Sequence, residues 1–192
     1  PLRLLLTGVV VAAGWGAVIS FILAIAPERN LHGMLFWLMG DLSHTPPPLW
    51  GMVVTGLGLL VCVPFARDLN VLARGELQAA IVGLPVREVR YAIFVLASLA
   101  TAIAVTTVGV IGFIGLVVPH LIRLIVGSDH RIVIPASALA GGTLLVLADT
   151  LARTLLAPRQ LPVGALTAAV GVPLFLVLMA GFWVSFNQIF MT

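Results

Sequence analysis

The sequence predicts an all-α integral membrane protein with about six transmembrane helices. Of its 192 residues, 61% are hydrophobic and only 9% are charged, and the mean hydropathy is +1.20. A soluble domain carries about 25% charged residues, so this chain lacks the polar groups that would cover a water-facing surface. The apolar residues also form long uncharged runs, and a helix needs roughly 17 to 25 of them to cross a bilayer.

Five uncharged runs have, or approach, the length of a membrane span: residues 4–26, 49–66, 91–118, 132–148 and 161–186. The stretch at 91–126 leaves two topologies open, either one crossing with a re-entrant piece or two crossings with a short second one. Each topology places seven arginines on one side of the membrane and three on the other, so the positive-inside rule does not choose between them. Both place the polar insertion at residues 67–90 in the cytoplasm.

The insertion at residues 67–90 holds four of the ten arginines and three of the seven acids. Its apolar residues recur at helical spacing and predict an amphipathic helix: Ala73, Leu77, Ala80, Ile81 and Leu84. We expect Gly83 and Pro85 to end that helix and Val86 to begin a second short one. Such helices either lie on the bilayer surface or form a docking surface for a cytoplasmic partner.

The connection at residues 27–48 lies on the outer side and is expected to contain a short helix over residues 31–40. Asn30 is the expected N-terminal cap of this helix, and Gly40 fits its C-terminal cap.

The same connection carries His32, Asp41 and His44, three residue types that can bind metal. Three scattered ligands on a loop favour a surface role, and we expect neither a metal nor a cofactor on this chain. The chain has no lysine, which excludes a phosphate-binding loop ending in Gly-Lys-Ser or Gly-Lys-Thr. No Ser, His and Asp arrangement has a recognisable local signature either, so we expect a protein that is not an enzyme.

Residues 112–123 read Gly-Phe-Ile-Gly-Leu-Val-Val-Pro-His-Leu-Ile-Arg. Glycine, proline and polar residues interrupt an apolar stretch here. They include residues that an ordinary membrane span does not need: Gly112, Gly115, Pro119, His120 and Arg123. Further along, Asp149 precedes Arg153 by four residues, a spacing that places the two on one helix face and favours an ion pair.

These motifs resemble the permease subunits of ABC importers for iron-siderophore complexes, haem and cobalamin. Three blocks carry the resemblance: 69–85 in the insertion, 112–135 from the punctuated run through Asp129-His130-Arg131, and 140–173, which holds Asp149, Arg153 and Leu161-Pro162-Val163-Gly164. The resemblance covers about residues 1–180, and residues 182–192 match no pattern of the family. Permeases of this family have about ten helices, so the resemblance implies that residues 1–192 are the C-terminal six-helix part of one permease domain.

The resemblance also implies partners and sites. It implies a multi-pass protein of the bacterial inner membrane that pairs with a second permease copy, two ATPase subunits and a periplasmic or lipid-anchored binding protein. Residues expected to couple to the ATPase are Asn70, Leu72, Arg74, Glu76, Leu77, Ala80, Gly83, Leu84 and Pro85. Residues expected to dock the binding protein are Arg153, Arg159 and Arg29. Residues expected to form the structural motif are Gly112, Gly115, Pro119, His120, Arg123 and Asp149.

The resemblance implies a metal-chelate or corrinoid substrate and no nucleic acid, while the residues do not choose among siderophore, haem and cobalamin. An ion-coupled secondary carrier is the alternative function, for which an acidic group near the middle of the membrane would be needed. Asp149 is the candidate for that group. A membrane scaffold without transport activity would not account for the amphipathic insertion.

Overall fold

The computed structural model describes residues 2–42, 48–157 and 160–190. These residues contain no strand and form eight helices: α1 (Leu2–Ile25), α2 (Glu28–Leu38), α3 (Pro48–Leu72), α4 (Glu76–Ile81), α5 (Val86–Val108), α6 (Ile114–Val126), α7 (His130–Thr154) and α8 (Val163–Phe190). The predicted all-α fold is confirmed. The contacts divide the chain into two units, residues 1–38 and 39–192.

Five of the helices are long and apolar enough to cross a membrane: α1, α3, α5, α7 and α8. Helix α6 is also apolar but has 13 residues, which span about 20 Å at 1.5 Å per residue. The hydrocarbon core of a bilayer is about 30 Å thick, so α6 is too short to cross it as a helix alone.

The first unit contains α1 and α2. Helix α2 begins at Glu28, directly after Pro27, and the Asn30 amide donates to the Pro27 carbonyl (2.9 Å). The prediction that Asn30 caps this helix is therefore wrong, because the helix starts two residues earlier and Asn30 lies inside its first turn. Within α2, the rings of His32 and Phe36 lie 4.5 Å apart on one face.

The second unit contains α3 to α8, whose helices run alternately between two ends. We call the end of the unit that carries the insertion at residues 67–90 the insertion end. There, the Asn70 side chain in the last turn of α3 binds Asp129 and His130 at the start of α7. At the opposite end, the Asp41 amide donates to the carbonyl of Val108, the last residue of α5 (3.0 Å). Helices α3, α6 and α8 therefore run toward the insertion end, and α5 and α7 run away from it.

The insertion is simpler than predicted. Helix α3 continues past the expected span at 49–66 to Leu72, and only α4 lies between it and α5. Val86 does not begin a separate short helix, because α5 runs from Val86 to Val108 without interruption. The charged residues of its first turns are followed at once by the apolar residues of the span.

The chain returns from α5 through an irregular segment, residues 109–113, and then through α6. Gly109 has φ 76° and is buried, and Phe113 has φ 65°, a value that side-chain-bearing residues rarely adopt. Ile114, the first residue of α6, lies beside Gly141, near the middle of α7. Helix α6 therefore runs from the middle of the unit to the insertion end, and residues 109–113 cover the other half. Together, residues 109–126 reach both ends, which supports the two-crossing topology. Irregular backbone is tolerated at membrane depth when protein buries it.

Two glycines of α8 make close packing against residues 39 and 110–113 possible. A Cβ on Gly164 would collide with the Met39 carbonyl oxygen and lie 2.7 Å from the Val110 carbonyl oxygen. A Cβ on Gly171 would collide with the Cβ of Phe113 and lie 3.0 Å from its Cγ. Both distances are shorter than van der Waals contact, so these positions require glycine.

Candidate functional site

Helix α4 is short, and glycine shapes both of its ends. Gly75 precedes it with φ 118°, and Gly83 follows it with φ 84°. The Gly83 amide donates to the Ala80 carbonyl (3.0 Å), and the Leu84 amide donates to the Ala79 carbonyl (3.0 Å). These two bonds form a Schellman motif, which closes a helix through one residue with positive φ. The tight turn expected at Gly83 is therefore present.

One face of α4 packs inward and the other is uncovered. Ala79 is fully buried, whereas Leu77 and Ile81 are 77% and 78% exposed, and Val82 just beyond the helix is 76% exposed. The other members of the predicted apolar stripe are exposed or half-buried: Ala73, Ala80 and Leu84. Three large apolar side chains on this short segment are left uncovered by the described residues. We call Leu77, Ile81 and Val82 the α4 patch.

Three further predicted coupling residues surround α4. Glu76 in its first turn forms an ion pair with Arg90 of α5, and both side chains are more than half exposed. Arg74 and Pro85 are exposed on either side of the helix. An exposed pair such as Glu76–Arg90 contributes roughly 0 to 1 kcal/mol, so it adds little to holding α4 in place. Backbone bonds at both ends of α4 hold it more firmly.

Asn70 differs from the other predicted coupling residues, because its side chain is engaged inside the unit. Its Nδ2 donates to Asp129 Oδ1 (2.6 Å), and its Oδ1 accepts from the backbone N–H of His130 (2.9 Å). The same Oδ1 lies 2.8 Å from His130 Nδ1. On the other side of the ring, His130 Nε2 lies 3.5 Å from Nη2 of Arg123, in the last turn of α6. We call Asn70, Arg123, Asp129 and His130 the polar junction.

Asp129 also caps α7. Its Oδ1 accepts from the backbone N–H of Arg131 (3.0 Å), which satisfies one of the free donors at the helix N-terminus. That bond, and next the bond from the Asn70 amide, holds the pKa of Asp129 below its usual range. The carboxylate is therefore ionised at neutral pH.

The predicted structural motif is only partly packed within this chain. Val117 and Val118 of α6 are buried, and His120 is half-buried. A Cβ on Gly112 or Gly115 would meet no atom within 4 Å, so the described residues do not crowd either glycine. The residue between them, Phe113, is the one that packs closely, against Gly171 of α8.

Within α6, Pro119 has no N–H to donate to the carbonyl of Gly115, four residues earlier, so the usual helical hydrogen bond is missing there.

At the opposite end, Arg153 Nε donates to Asp149 Oδ2 (2.8 Å) along α7. The ion pair expected from the four-residue spacing is therefore present, and the Arg153 side chain remains 41% exposed. Of the other two arginines expected to dock the binding protein, Arg29 is exposed in α2. Arg159, like His44 of the weak metal candidate, lies outside the described residues. In the described part of the chain, no three metal-binding side chains cluster.

Comparison with known proteins identifies the family. Residues 1–181 match the FecCD transport family. The chain belongs to the FecCD transport family.

Relatives of this FecCD protein are named as transport permeases. It is 42% identical to the hemin transport system permease protein HmuU of Yersinia pestis, over 91% of this chain and 53% of that protein. It is 43% identical to the cobalamin import system permease protein BtuC of Halobacterium salinarum, over 92% of this chain and 47% of that protein. It is 39% identical to the Fe(3+) dicitrate transport system permease protein FecD of Escherichia coli, over 91% of this chain and 55% of that protein. The chain thus spans about half the length of the curated relatives it matches.

A solved structure has the same fold. It is described as an inward-facing conformation of a metal-chelate type ABC transporter, and it matches 94% of this chain and 59% of its own with a TM-score of 0.84 at 32% identity. With the five long apolar helices, this likeness identifies the FecCD chain as a multi-pass membrane protein. The comparisons favour a permease and do not support the ion-coupled carrier.

Sequence reasoning missed the partners of Asn70. Asp129 and His130 belong to a block that the family resemblance includes, but neither was assigned a role. An aspartate directly before an apolar helical run is a common N-cap, which could have indicated the capping role of Asp129. Nothing in the sequence indicates the contact with Asn70, because the two residues are 59 positions apart.

Proposed function

We propose that this chain is part of the transmembrane permease subunit of an ATP-driven importer for metal complexes of organic ligands. The insertion end faces the cytoplasm, and the end that holds Arg153 faces outward. Family membership supports this proposal, as does the arginine distribution, which places residues 67–90 on the cytoplasmic side.

The α4 patch is the observation that carries the proposal. An amphipathic helix lying on the bilayer is typically rich in basic residues along its polar face, whereas the one charged residue of α4 is Glu76. Two glycine-shaped turns flank the helix, and its apolar side chains are left uncovered by the described residues. A groove on an ATPase subunit is the partner that suits such a short, firmly held helix.

Arg153 is proposed to meet an acidic residue of a substrate-binding protein. Its ion pair with Asp149 uses one of the five guanidinium N–H donors, so the others can bind a partner. A second permease copy would present the same arginine again, and two contacts would orient one docked protein. Long-range attraction of this kind speeds encounter more than it adds affinity.

The substrate class follows from the named ligands of the relatives. Hemin, cobalamin and ferric dicitrate are each a metal ion held in an organic ligand, and each is named for a relative about 40% identical to this chain. We infer a substrate of this class, whose individual identity is determined by the binding protein that delivers it.

Association with the partner ATPase tests the proposal. The full-length permease, purified with its cognate ATPase, is expected to form a stable complex whose ATP hydrolysis rises when ligand-loaded binding protein is added. A permease that is folded but does not associate with the ATPase, or a complex whose hydrolysis does not respond to the binding protein, would contradict it.

A further inference from the structure

We propose that Asn70 is a positioning residue that links the ATPase-docking insertion to α6 and α7. Through the polar junction, a displacement of the insertion would be transmitted to the turn between these helices. This inference rests on the proposed function, since it assigns the route by which docking at the α4 patch reaches the membrane helices.

The junction joins three helices at one point. Asn70 lies two residues before the end of α3 and six before the start of α4, so it moves with the base of the insertion. Its amide contacts the cap and the first residue of α7. Through the His130 ring, the contact extends to Arg123 in the last turn of α6.

Donors and acceptors alternate through the junction. The backbone N–H of His130 is only a donor, so the Asn70 atom facing it is the amide oxygen, and the amide nitrogen faces the Asp129 carboxylate. An amide oxygen only accepts, so His130 carries its proton on Nδ1 and presents the Nε2 lone pair to Arg123. Asparagine supplies one donor and a shared acceptor in this geometry, and no apolar side chain can do the same.

The Glu76–Arg90 pair offers a contrasting contact in the same region. It joins α4 to α5, its side chains are more than half exposed, and water screens it strongly. Asn70 and His130, in contrast, are half-buried, whereas Asp129 and Arg123 are exposed. Asn70 and His130 meet through two contacts of 2.9 and 2.8 Å, so water screens that contact less than the Glu76–Arg90 pair, and Arg90 is the matched control.

The test compares coupling in the reconstituted full-length transporter. Asn70→Leu preserves size but removes every hydrogen bond of the side chain, while α4 and its exposed patch are unchanged. We expect this variant to retain ATPase co-purification but to import about fivefold fewer ligand molecules, or fewer still, per ATP hydrolysed. Arg90→Gln is expected to leave this ratio close to that of the unmodified protein.

A rescue separates the donor–acceptor pattern from a general loss of structure. Asn70→Asp alone places two carboxylates together and should also uncouple, whereas Asn70→Asp combined with Asp129→Asn exchanges the two groups and should restore most of the ratio. If Asn70→Leu does not accumulate, the Asn70→Asp variant and the double variant provide the same comparison.

Normal coupling in Asn70→Leu or Asn70→Asp, or a double variant as defective as Asn70→Asp, would overturn the inference. The proposed function fails differently, since in that case the unmodified permease would not associate with the ATPase at all.

Discussion

Phe113 of the α5–α6 connection packs directly against the backbone of Gly171 in α8. Phe113 has φ 65°, a conformation that is unfavourable for a residue with a side chain and persists only where its surroundings enforce it. The bare backbone of Gly171 provides the space that this conformation needs. The contact therefore fixes where the irregular return segment ends and α6 begins.

Gly171→Ala is expected to destabilise the protein by about 1 to 3 kcal/mol, because its methyl group would overlap the Phe113 side chain. Thermal unfolding in detergent measures this effect. Gly142→Ala is the matched control, because a Cβ on Gly142 of α7 meets no atom within 4 Å. Equal midpoints for the two variants would show that Phe113 moves aside without cost.

The α4 patch is expected to bind the ATPase through burial of its apolar side chains. Leu77→Asp places a charge where an apolar contact is proposed, and it should abolish co-purification of the ATPase while membrane insertion continues. Gln78→Ala changes a neighbouring exposed residue of the same helix, and it should retain the complex. A Leu77→Asp variant that still binds the ATPase normally would mean that docking occurs elsewhere.

Gly83 is expected to tolerate asparagine better than valine. Its φ of 84° is unfavourable for a β-branched residue, whereas asparagine adopts such angles more readily. No atom lies within 4 Å of a Cβ at this position, so backbone strain alone distinguishes the two variants. Gly83→Val should reduce ligand-stimulated ATP hydrolysis, and Gly83→Asn should retain most of it. Equal activities would exclude turn geometry as the cause.

Arg153 is expected to act in docking separately from its pair with Asp149. Arg153→Gln should weaken capture of the binding protein, most clearly at low salt, because exposed charges are screened as ionic strength rises. Asp149→Asn removes the same ion pair but keeps the Arg153 guanidinium and its charge, so it should not weaken capture. Surface binding to the reconstituted permease measures both, and equal losses would favour a purely intrahelical role.

The helices could be predicted from the sequence because the bilayer imposes a simple rule. A span is a long uncharged run, and residues 4–26 and 161–186 correspond to α1 and α8. Where an apolar run is broken into separate elements depends instead on tertiary contacts, which the sequence does not show. The 91–118 run contains no charge that separates α5 from the return segment, and the break at Gly109 follows from packing against residues 40–41 and 164.

The candidate sites divide in the same way. The turn at Gly83 and the pair of Asp149 with Arg153 are local, so spacing along the chain was sufficient to predict them. The contact of Asn70 with Asp129, and the closeness of Gly164 to Met39, join residues far apart in sequence. No periodicity reports such pairs, and one sequence by itself carries no record of them.

The energy source for uptake distinguishes an ATP-driven importer from an ion-coupled carrier. Proteoliposomes would contain the full-length permease with its ATPase, and the ligand-loaded binding protein would be supplied outside. We expect a metal-chelate ligand to accumulate when ATP is enclosed. An ionophore that dissipates the proton gradient should leave this uptake unchanged, and Leu77→Asp should abolish it. Uptake driven by a proton gradient without ATP or ATPase would contradict the proposed function.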